Sequence, residues 1–432
     1  MTTQEYIKQH RNDDVYRLAL AKTPEGVDLQ YALQQISAYQ ILTKKVPSWA
    51  ECDELIFPRQ LSLEQSSSEL TARYKASLIK EFMGNQPFTH IDLTGGMGID
   101  CYFIAQNASA SHYIEQNSDL CQIAQHNFTH LTPNISVHNT TAEEFLNQIT
   151  DDRVQSTEHR AQITDNSIAE KAKNTNSQLS TFNFQLSTLI YLDPARRGDH
   201  GQKLVSIADC QPNVIELLPQ MFALTDKVVV KLSPMLDITR AIGELHCIEK
   251  LYVISVANEC KELLLFINKE CKTETEICAI NLNSQQSIVN SSLLLTGTLS
   301  HESALTIPYA AKMGEYLYEP YAAHLKSGLY KTIAEMYAIS KLHPHSHLYT
   351  SDELNTNFPG RQFRVNQVIP FNKKNIKSFF KEHPKANLTT RNFPLTVSQL
   401  RTQYKIKEGG ELYVFATTLR DDSLVLVLCE KV

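Results

Sequence analysis

The stretch His90-Ile91-Asp92-Leu93-Thr94-Gly95-Gly96-Met97-Gly98-Ile99-Asp100 decides how this chain folds. An apolar, strand-like run from Phe88 to Leu93 enters a glycine turn, and a helix-like segment from Ile99 to Ala105 follows at once. The glycines let the backbone turn sharply and approach a ligand where a Cβ would collide. Beyond the turn, a helix N-terminus offers unpaired N–H groups to a polar or anionic ligand. A second strand-like run, Ser111 to Ile114, ends at Glu115, an acid suited to gripping a ribose diol.

Outward from this turn, residues 88–281 alternate strand and helix, which predicts a parallel α/β sheet. Strands are expected at 88–93, 111–115, 135–138, 187–192, 226–232, 249–256 and 261–268. The last two, joined by Ala257 to Cys260, read as an antiparallel hairpin. Residues 1–80 read as helices, with Val15-Leu18-Ala19 and Leu29-Leu33-Ile36 at helical spacing. Ser62 with Gln65 has the capping-box pattern and opens a helix running to about Phe82. Residues 150–185, rich in Asp, Asn, Ser, Thr and Gln, read as a long mobile insertion before the fourth strand. After residue 282 the pattern is α+β: helices at Gly328–Leu342, Lys373–Lys381 and Thr396–Tyr404, strands at Phe363–Phe371, Glu411–Leu419 and Ser423–Cys429.

A chain of 432 residues is too long for one ordinary domain, and 42% apolar content supports well-filled cores. The polar Met1–Asp14 segment is no secretory h-region, and the best apolar stretch, Leu251–Ile267, is broken by Asn258, Glu259, Lys261 and Glu262. No membrane span is expected, and the prediction is a cytoplasmic protein. Nine scattered cysteines without a C-x-x-C pair argue against a zinc or iron–sulfur site and against a disulfide framework. The net charge of −6 is unevenly spread: residues 305–432 carry 17 Lys/Arg against 11 Asp/Glu, the remainder 24 against 36. Residues 358–407 hold eleven basic residues and one acid, Glu382. A basic tract on an acidic protein points to a polyanionic partner.

The second decisive stretch is Leu189-Ile190-Tyr191-Leu192-Asp193-Pro194-Ala195-Arg196-Arg197-Gly198. An apolar strand delivers Asp-Pro at its carboxyl end, the edge where open α/β sheets bind ligands, and Pro194 holds Asp193 toward extended geometry. The dinucleotide fingerprint G-x-G-x-x-G fails here, because counting on from Gly96 and Gly98 reaches Cys101. Asp92-x-x-Gly95-Gly96-x-Gly98, then Glu115, then Asp193-Pro194 instead resemble motifs I, II and IV of class I S-adenosylmethionine (SAM) methyltransferases. That resemblance implies an α/β fold: a seven-stranded Rossmann-like methyltransferase sheet with an N-terminal helical region and a small α+β C-terminal module. It implies SAM as the cofactor. Asp92, Gly95, Gly96 and Gly98 would hold the methionine end and Glu115 the ribose, while Ala142 and Glu143 in Thr140–Glu144 would face the adenine. Asp193 and Pro194 would present the target amine. The segment Leu63–Tyr74 resembles motif X of some RNA methyltransferases, or is an amphipathic packing helix.

Ala195 stands where motif IV of nucleic-acid methyltransferases has a second proline, and Arg196 brings the element closer to the Asp-Pro-Pro-Arg of carbon-methylating relatives. Those use a cysteine nucleophile, but neither Cys210 nor Cys260 sits in a matching motif, which favours nitrogen methylation. Arg196, Arg197 and Lys231 are candidates for the substrate side, and Asn258–Lys261 reads as a hairpin turn. The tail resembles the ferredoxin-like and THUMP-like domains appended to a bacterial branch of these enzymes, where THUMP-type domains bind RNA. The expected division is 1–80 helical region, 81–281 methyltransferase domain, 282–360 ferredoxin-like domain and 361–432 basic THUMP-like domain.

Arg361, Arg364, Lys373, Lys374, Lys377 and Arg391 would then meet RNA phosphates, while Phe363, Phe371, Phe379, Phe380, Phe393 and Tyr404 sit at core spacing. His343-Pro344-His345-Ser346-His347 reads as a solvated loop, without metal. The expected function is SAM-dependent methylation of a base, at an exocyclic or ring nitrogen, in structured RNA such as rRNA or tRNA. A non-catalytic RNA-binding protein on a methyltransferase scaffold and an NAD-dependent oxidoreductase are the alternatives.

Overall fold

A computed structural model describes residues 1–58, 66–84, 86–131, 134–151, 187–196, 206–283 and 294–432. The strands that build the main sheet are β1 (Phe88–Asp92), β2 (Ala110–Glu115), β3 (Ile135–Asn139), β4 (Ser187–Leu192), β7 (Lys227–Leu232), β8 (Ile248–Val256), β9 (Glu259–Asn268), β10 (Glu276–Leu282) and β11 (Leu295–Gly297), with β5 (Ala195–Arg196) and β6 (Cys210–Gln211) forming a separate two-stranded ribbon. Their hydrogen-bonded order is β11-β10-β8-β9-β7-β4-β1-β2-β3, nine strands rather than the expected seven. The two extra strands follow the hairpin: β10 runs parallel to β8 and β11 antiparallel to β10. The hairpin itself forms as expected. Ala257 and Asn258 both take positive φ, 49° and 65°, the backbone that a two-residue turn matching the strand twist requires.

The chain divides into two compact units, Met1–Glu249 with Leu264–Thr273, and Lys250–Leu263 with Glu274–Val432. In the first, helices α1 (Thr3–His10), α2 (Val15–Leu20) and α3 (Leu29–Lys45) close over a small core of Tyr6, Leu18, Ala32 and Ile36. Helix α4 (Glu69–Met83) begins at Ser68, whose hydroxyl accepts from Thr71 N at 3.3 Å. The helix therefore starts later than the Ser62–Gln65 pattern suggests, and that pattern lies outside the described residues. Nearly all of the 150–185 insertion lies outside them too, apart from residues 150–151, which belong to a helix begun at 142. Strands β3, β2, β1, β4 and β7 are mutually parallel, and β1 has neighbours on both sides running in the same direction. Between them run α5 (Ile99–Ala105), α6 (Ser118–Leu131), the helix over 142–151 (α7) and α8 (Val214–Leu224), with α9 (Ile238–Glu244) after β7. β1, β4 and β7 are buried almost end to end, as strands covered on both faces must be.

The second unit carries a seven-stranded sheet ordered β13-β14-β12-β15-β18-β17-β16. Its strands are β12 (Tyr316–Pro320), β13 (Ser340–Lys341), β14 (Tyr349–Ser351), β15 (Gly360–Pro370), β16 (Asn387–Arg391), β17 (Tyr413–Thr418) and β18 (Leu424–Lys431). The expected boundary at 360/361 falls within this one sheet, because β12 pairs with β15 from Tyr316↔Arg364 to Pro320↔Gly360. The helix expected over Gly328–Leu342 is broken. A helix Ala322–Ser327 (α11, after α10 at Leu299–Ala304) ends at Gly328 in the left-handed conformation, and α12 (Tyr330–Met336) restarts beyond it. Helices α13 (Lys373–Glu382) and α14 (Val397–Tyr404) pack a core of Ile376, Phe379, Phe380, Leu400 and Val414. Phe363 lies in a neighbouring cluster with Phe415 and Leu317, while Phe371, Phe393 and Tyr404 pack half-buried against the first core, so the interleaved aromatics serve the cores, as their spacing implies.

The histidine loop is not a solvated one. His343 is buried, its Nδ1 lying 3.1 Å from His345 N and 2.9 Å from Asn392 Nδ2, and its Nε2 pairs with Asp422 at 3.2 Å. His347 stacks on Tyr330 with centroids 3.6 Å apart, and burial pushes its imidazole down to about 4. Among the described residues no helix is long and apolar enough to cross a membrane.

Two of the expected RNA contacts are spent inside this unit. Glu319, 3% exposed, sits opposite Arg361 across β12–β15; Arg361 Nε donates to its Oε2 at 2.7 Å and Arg391 Nη2 lies 2.8 Å from its Oε1. Removing the shared carboxylate leaves two guanidinium groups facing one apolar site. Glu319→Ala is expected to destabilise by about 2 kcal/mol, below the ~3–5 for a fully buried pair because both arginines keep some surface in water. Denaturant unfolding checks this, and a loss within error of zero would make the triad dispensable.

Candidate active site

The parallel pairing Asp92↔Tyr191 sets the carboxyl ends of β1 and β4 side by side, at the point where the strand order reverses. After Asp92 the chain passes through Thr94, Gly95 and Gly96, all partly exposed, and Gly96 and Gly98 take φ of 53° and 76°. Gly95 cannot be larger: an added Cβ would fall inside the Tyr113 ring, and at Gly98 it would come 2.6 Å from Phe128 Cζ. Tyr113 in turn donates its hydroxyl to Gly96 O at 2.5 Å, so the turn rests on an aromatic floor. Glu115, at the end of β2, accepts from Gly96 N at 3.0 Å and from Asn117 N at 2.8 Å, one bond on each oxygen. Asp92 is not on the surface of the turn. It is 1% exposed and accepts from Thr94 N at 3.0 Å; burial pushes its carboxyl up to about 8, only partly offset by that bond.

The second corner touches the first. Asp193 N donates to Thr94 Oγ1 at 2.6 Å, and Asp193 Oδ2 lies 2.5 Å from Lys231 Nζ, at the end of β7. Pro194 is buried, and Asp193 keeps 39% of its side chain exposed. Lys231 does not project outward as a phosphate contact would: its side chain is 11% exposed and also reaches Asp100 Oδ2 at 3.3 Å and Ser67 Oγ at 3.1 Å. Arg196 lies on β5, and Arg197 is outside the described residues.

Beneath both corners is a cluster that sequence reading did not find. Asp100, in the first turn of α5, accepts from Ser67 Oγ at 2.7 Å and Tyr191 Oη at 2.9 Å, and pairs with Lys75 Nζ at 3.1 Å. Burial acts to raise its pKa, but the ammonium groups of Lys75 and Lys231, with the Ser67 hydroxyl, hold it well below the usual carboxylate range. Lys75 is wholly buried on α4, in the stripe Ala72, Lys75, Ala76, Ile79, Met83. A lysine inside an apolar helical stripe was the available signal.

On the adenine side, Ala142 is buried and Glu143 exposed; Glu144 and Thr141 form a reciprocal cap at the start of α7, Glu144 N to Thr141 Oγ1 at 3.2 Å and Thr141 N to Glu144 Oε2 at 3.3 Å. Cys210 is buried, and burial pushes the Cys260 thiol up to about 11, so Cys260 is no ready thiolate. Among the described residues no group of three or more His, Cys, Asp or Glu could hold a metal.

The solved structure of a “putative methyltransferase” from Porphyromonas gingivalis W83 is similar over 99% of this chain and 97% of its own, at 32% identity and a TM-score of 0.80. The chain belongs to the family of that protein. Its C-terminal region matches a ferredoxin-like domain over residues 316–359 and a THUMP domain-like one over residues 360–431. The likenesses to a SAM-dependent methyltransferase from Agrobacterium tumefaciens (10% identity, 46% of this chain, 61% of that one, TM-score 0.25) and to an rRNA methylase from Streptococcus thermophilus (9%, 45%, 94%, 0.27) are too slight to carry an argument. No curated protein matches.

The buried Asp92 sets a pH dependence whose sign follows directly. Between about 4 and about 8 the unfolded chain has released this proton and the folded one keeps it, so the group costs stability as pH rises through that window. Asp92→Asn keeps an acceptor for Thr94 N without the titration. Urea unfolding should show the variant gaining on the native protein by up to roughly 1.4 kcal/mol per pH unit, levelling above about pH 8. A difference that stays flat would mean Asp92 is ionised in the fold.

Proposed function

We propose that this protein is a SAM-dependent methyltransferase acting on a base nitrogen of structured RNA such as rRNA or tRNA. The observation that carries the reading is the hydrogen bond from Asp193 N to Thr94 Oγ1, which brings the glycine turn and the Asp-Pro corner to one place on one sheet edge. The glycine turn fits the cofactor, since Gly95 and Gly98 have no room for a Cβ and Gly96 sits at positive φ. When bound, SAM supplies a methyl group already activated on a sulfonium, so the protein's share is largely positioning. Gly95, Gly96 and Gly98 would keep the backbone close to it. Glu115, with one backbone bond on each oxygen, has lone pairs left for ribose hydroxyls, and Ala142 and Glu143 would border the adenine. Asp92 would act through the turn it braces.

With Lys231 on Oδ2, Asp193 has Oδ1 to accept an N–H of the target base, and the proton shed on methylation would pass to that carboxylate or to water. A raised thiol at Cys260 and a buried one at Cys210 favour nitrogen over carbon as the acceptor. The RNA would be held by the C-terminal THUMP-like region. There Arg364, Lys374, Lys377 and Lys381 are exposed, whereas Arg361 and Arg391 are tied to Glu319; Lys373 shares helix α13. The division into an N-terminal helical region (1–80), a methyltransferase domain (81–281) and the two C-terminal domains (282–360 and 361–432) belongs to this reading.

Nucleoside mass spectrometry of RNA from deletion and parent cells tests it. One methylated nucleoside should vanish in the deletion and return with the native protein but not with Asp193→Ala. If calorimetry shows SAM binding while every nucleoside is unchanged, the non-catalytic scaffold reading replaces this one, and binding of NAD instead would end both. Replacing Lys374, Lys377 and Lys381 together by Ala should weaken RNA binding for all sequences alike. It should also reduce the slope of log K against log salt by about 2, at unchanged melting temperature. An unaltered slope would move the RNA elsewhere.

A further inference from the structure

Lys231 stands near the end of β7, beyond the apolar and buried Val228, Val229 and Val230, where a buried lysine needs a reason. An ammonium has three N–H donors, and the acceptors around this one include Asp193 Oδ2 at 2.5 Å, Ser67 Oγ at 3.1 Å and Asp100 Oδ2 at 3.3 Å. The nearest is the carboxylate of the proposed substrate corner. Behind Lys231 the contacts continue into the protein, since Ser67 Oγ also receives Lys75 Nζ at 2.8 Å and donates to Asp100, and Asp100 takes the Tyr191 hydroxyl. Asp193 is thus held twice, its backbone N–H by Thr94 and its carboxylate by a cation that itself contacts Ser67, just ahead of α4, and Asp100 on α5. A half-exposed aspartate on a turn would otherwise sample several rotamers.

We propose that Lys231 is a positioning residue, fixing the Asp193 carboxylate for the incoming base, and not a contact to RNA phosphate. The proposal rests on the methyltransferase reading above, but the holding of Asp193 by Lys231 is a property of the protein alone. Two measurements on the full-length chain keep these apart.

The first needs no substrate. In protein labelled with ¹⁵N-lysine, the side-chain ammonium signals of Lys75 and Lys231 should be slow to exchange with water, and Lys231→Met and Lys75→Met assign them. Asp193→Asn should shift the Lys231 signal and leave that of Lys75 in place. A Lys231 signal that ignores Asp193→Asn overturns the proposal whatever the enzyme does.

The second is kinetic, with tritiated SAM and RNA from the deletion strain. Lys231→Met should lower kcat by about 100-fold, the order of loss for a misplaced reacting group, with KM for RNA and SAM affinity within about twofold. Lys231→Arg should recover most of it. In the Asp193→Asn background, Lys231→Met should cost nothing further, because the group it positions is already altered. A raised KM with kcat intact and a smaller salt slope would identify a phosphate contact and overturn the proposal. If Lys231→Met does not fold, Lys231→Arg and the Asp193→Asn spectrum still decide. No methyl transfer by the native protein would refute the functional reading and leave the spectral result standing.

Discussion

The site depends on one local constraint, the 2.6 Å hydrogen bond that ties the backbone of Asp193 to the hydroxyl of Thr94. Parallel pairing alone would bring the ends of β1 and β4 within a strand spacing of each other, but each chain leaves the sheet there and could diverge. The bond prevents that. It fastens the loop after β4 to the turn after β1, and the turn is fixed from below by Tyr113 and from the side by Glu115. A threonine is well suited to the task, because β-branching restricts its χ1 and so aims the hydroxyl.

Under this junction, the ammonium groups of Lys75 and Lys231 and the carboxylate of Asp100 are drawn largely out of water, and the partly exposed carboxylate of Asp193 completes the cluster. Stripping such ions of solvent costs several kcal/mol each, so an arrangement of this kind persists only when nearly every donor finds an acceptor. Ser67 and Tyr191 complete it. A third carboxyl would unbalance the charge, and Asp92 is accommodated by keeping its proton, as its rise to about 8 indicates. The cluster joins α4, α5, β4 and β7, four elements distant in sequence. Its value to the fold is better described as fixing their relative register than as adding stability.

How far the sequence revealed this differs from element to element. The cores of β4 and β7 and the turn at Gly95 are legible because doubly covered strands read as apolar runs and a glycine pair punctuates the turn, and β1 reads as a strand from Phe88 and the Ile91–Leu93 stretch around the polar but buried Thr89 and His90. Asp92, Glu115 and Asp193 stood out for the same reason, as acids at the ends of apolar runs. Lys75 and Asp100 did not. Asp100 passed for an acid in a helix's first turn, which needs no special explanation, and Lys75 belongs to a helix whose described start, at Glu69, differs from the start its sequence suggests. Their meaning lies in a contact between them, and no single-sequence pattern encodes it. No strand is read from the sequence at 276–282 or 295–297: β10 lies at the very end of the 81–281 stretch, where the seven expected strands are already placed, and β11 is only three residues long. The helix expected over 328–342 runs only from Tyr330 to Met336, because Gly328, at φ of 80°, ends the helix before it, and the chain turns at Ala338, at φ of 50°.

The C-terminal region shows the same division between pattern and contact. Counting basic residues over 358–407 treats all eleven as equivalent, yet the sheet sorts them. Arg361 lies beside Glu319 because β15 pairs with β12, a strand that precedes it by some forty residues and lies in the ferredoxin-like match, whereas Arg361 lies in the THUMP-like one. The two matched regions thus share hydrogen bonds, a core around Leu317 and Phe363, and a carboxylate that neutralises arginines of its neighbour. A cation so engaged offers little to a polyanion, since the paired carboxylate repels what the guanidinium attracts. Of the remaining basic residues, Arg364, Lys385, Lys405 and Lys407 are exposed elsewhere in the region, while Lys374, Lys377 and Lys381 share one exposed face of α13, opposite the buried Ile376, Phe379 and Phe380. An amphipathic helix of this kind divides its roles by face within ten residues: one face holds the core together, and the other carries the exposed charge.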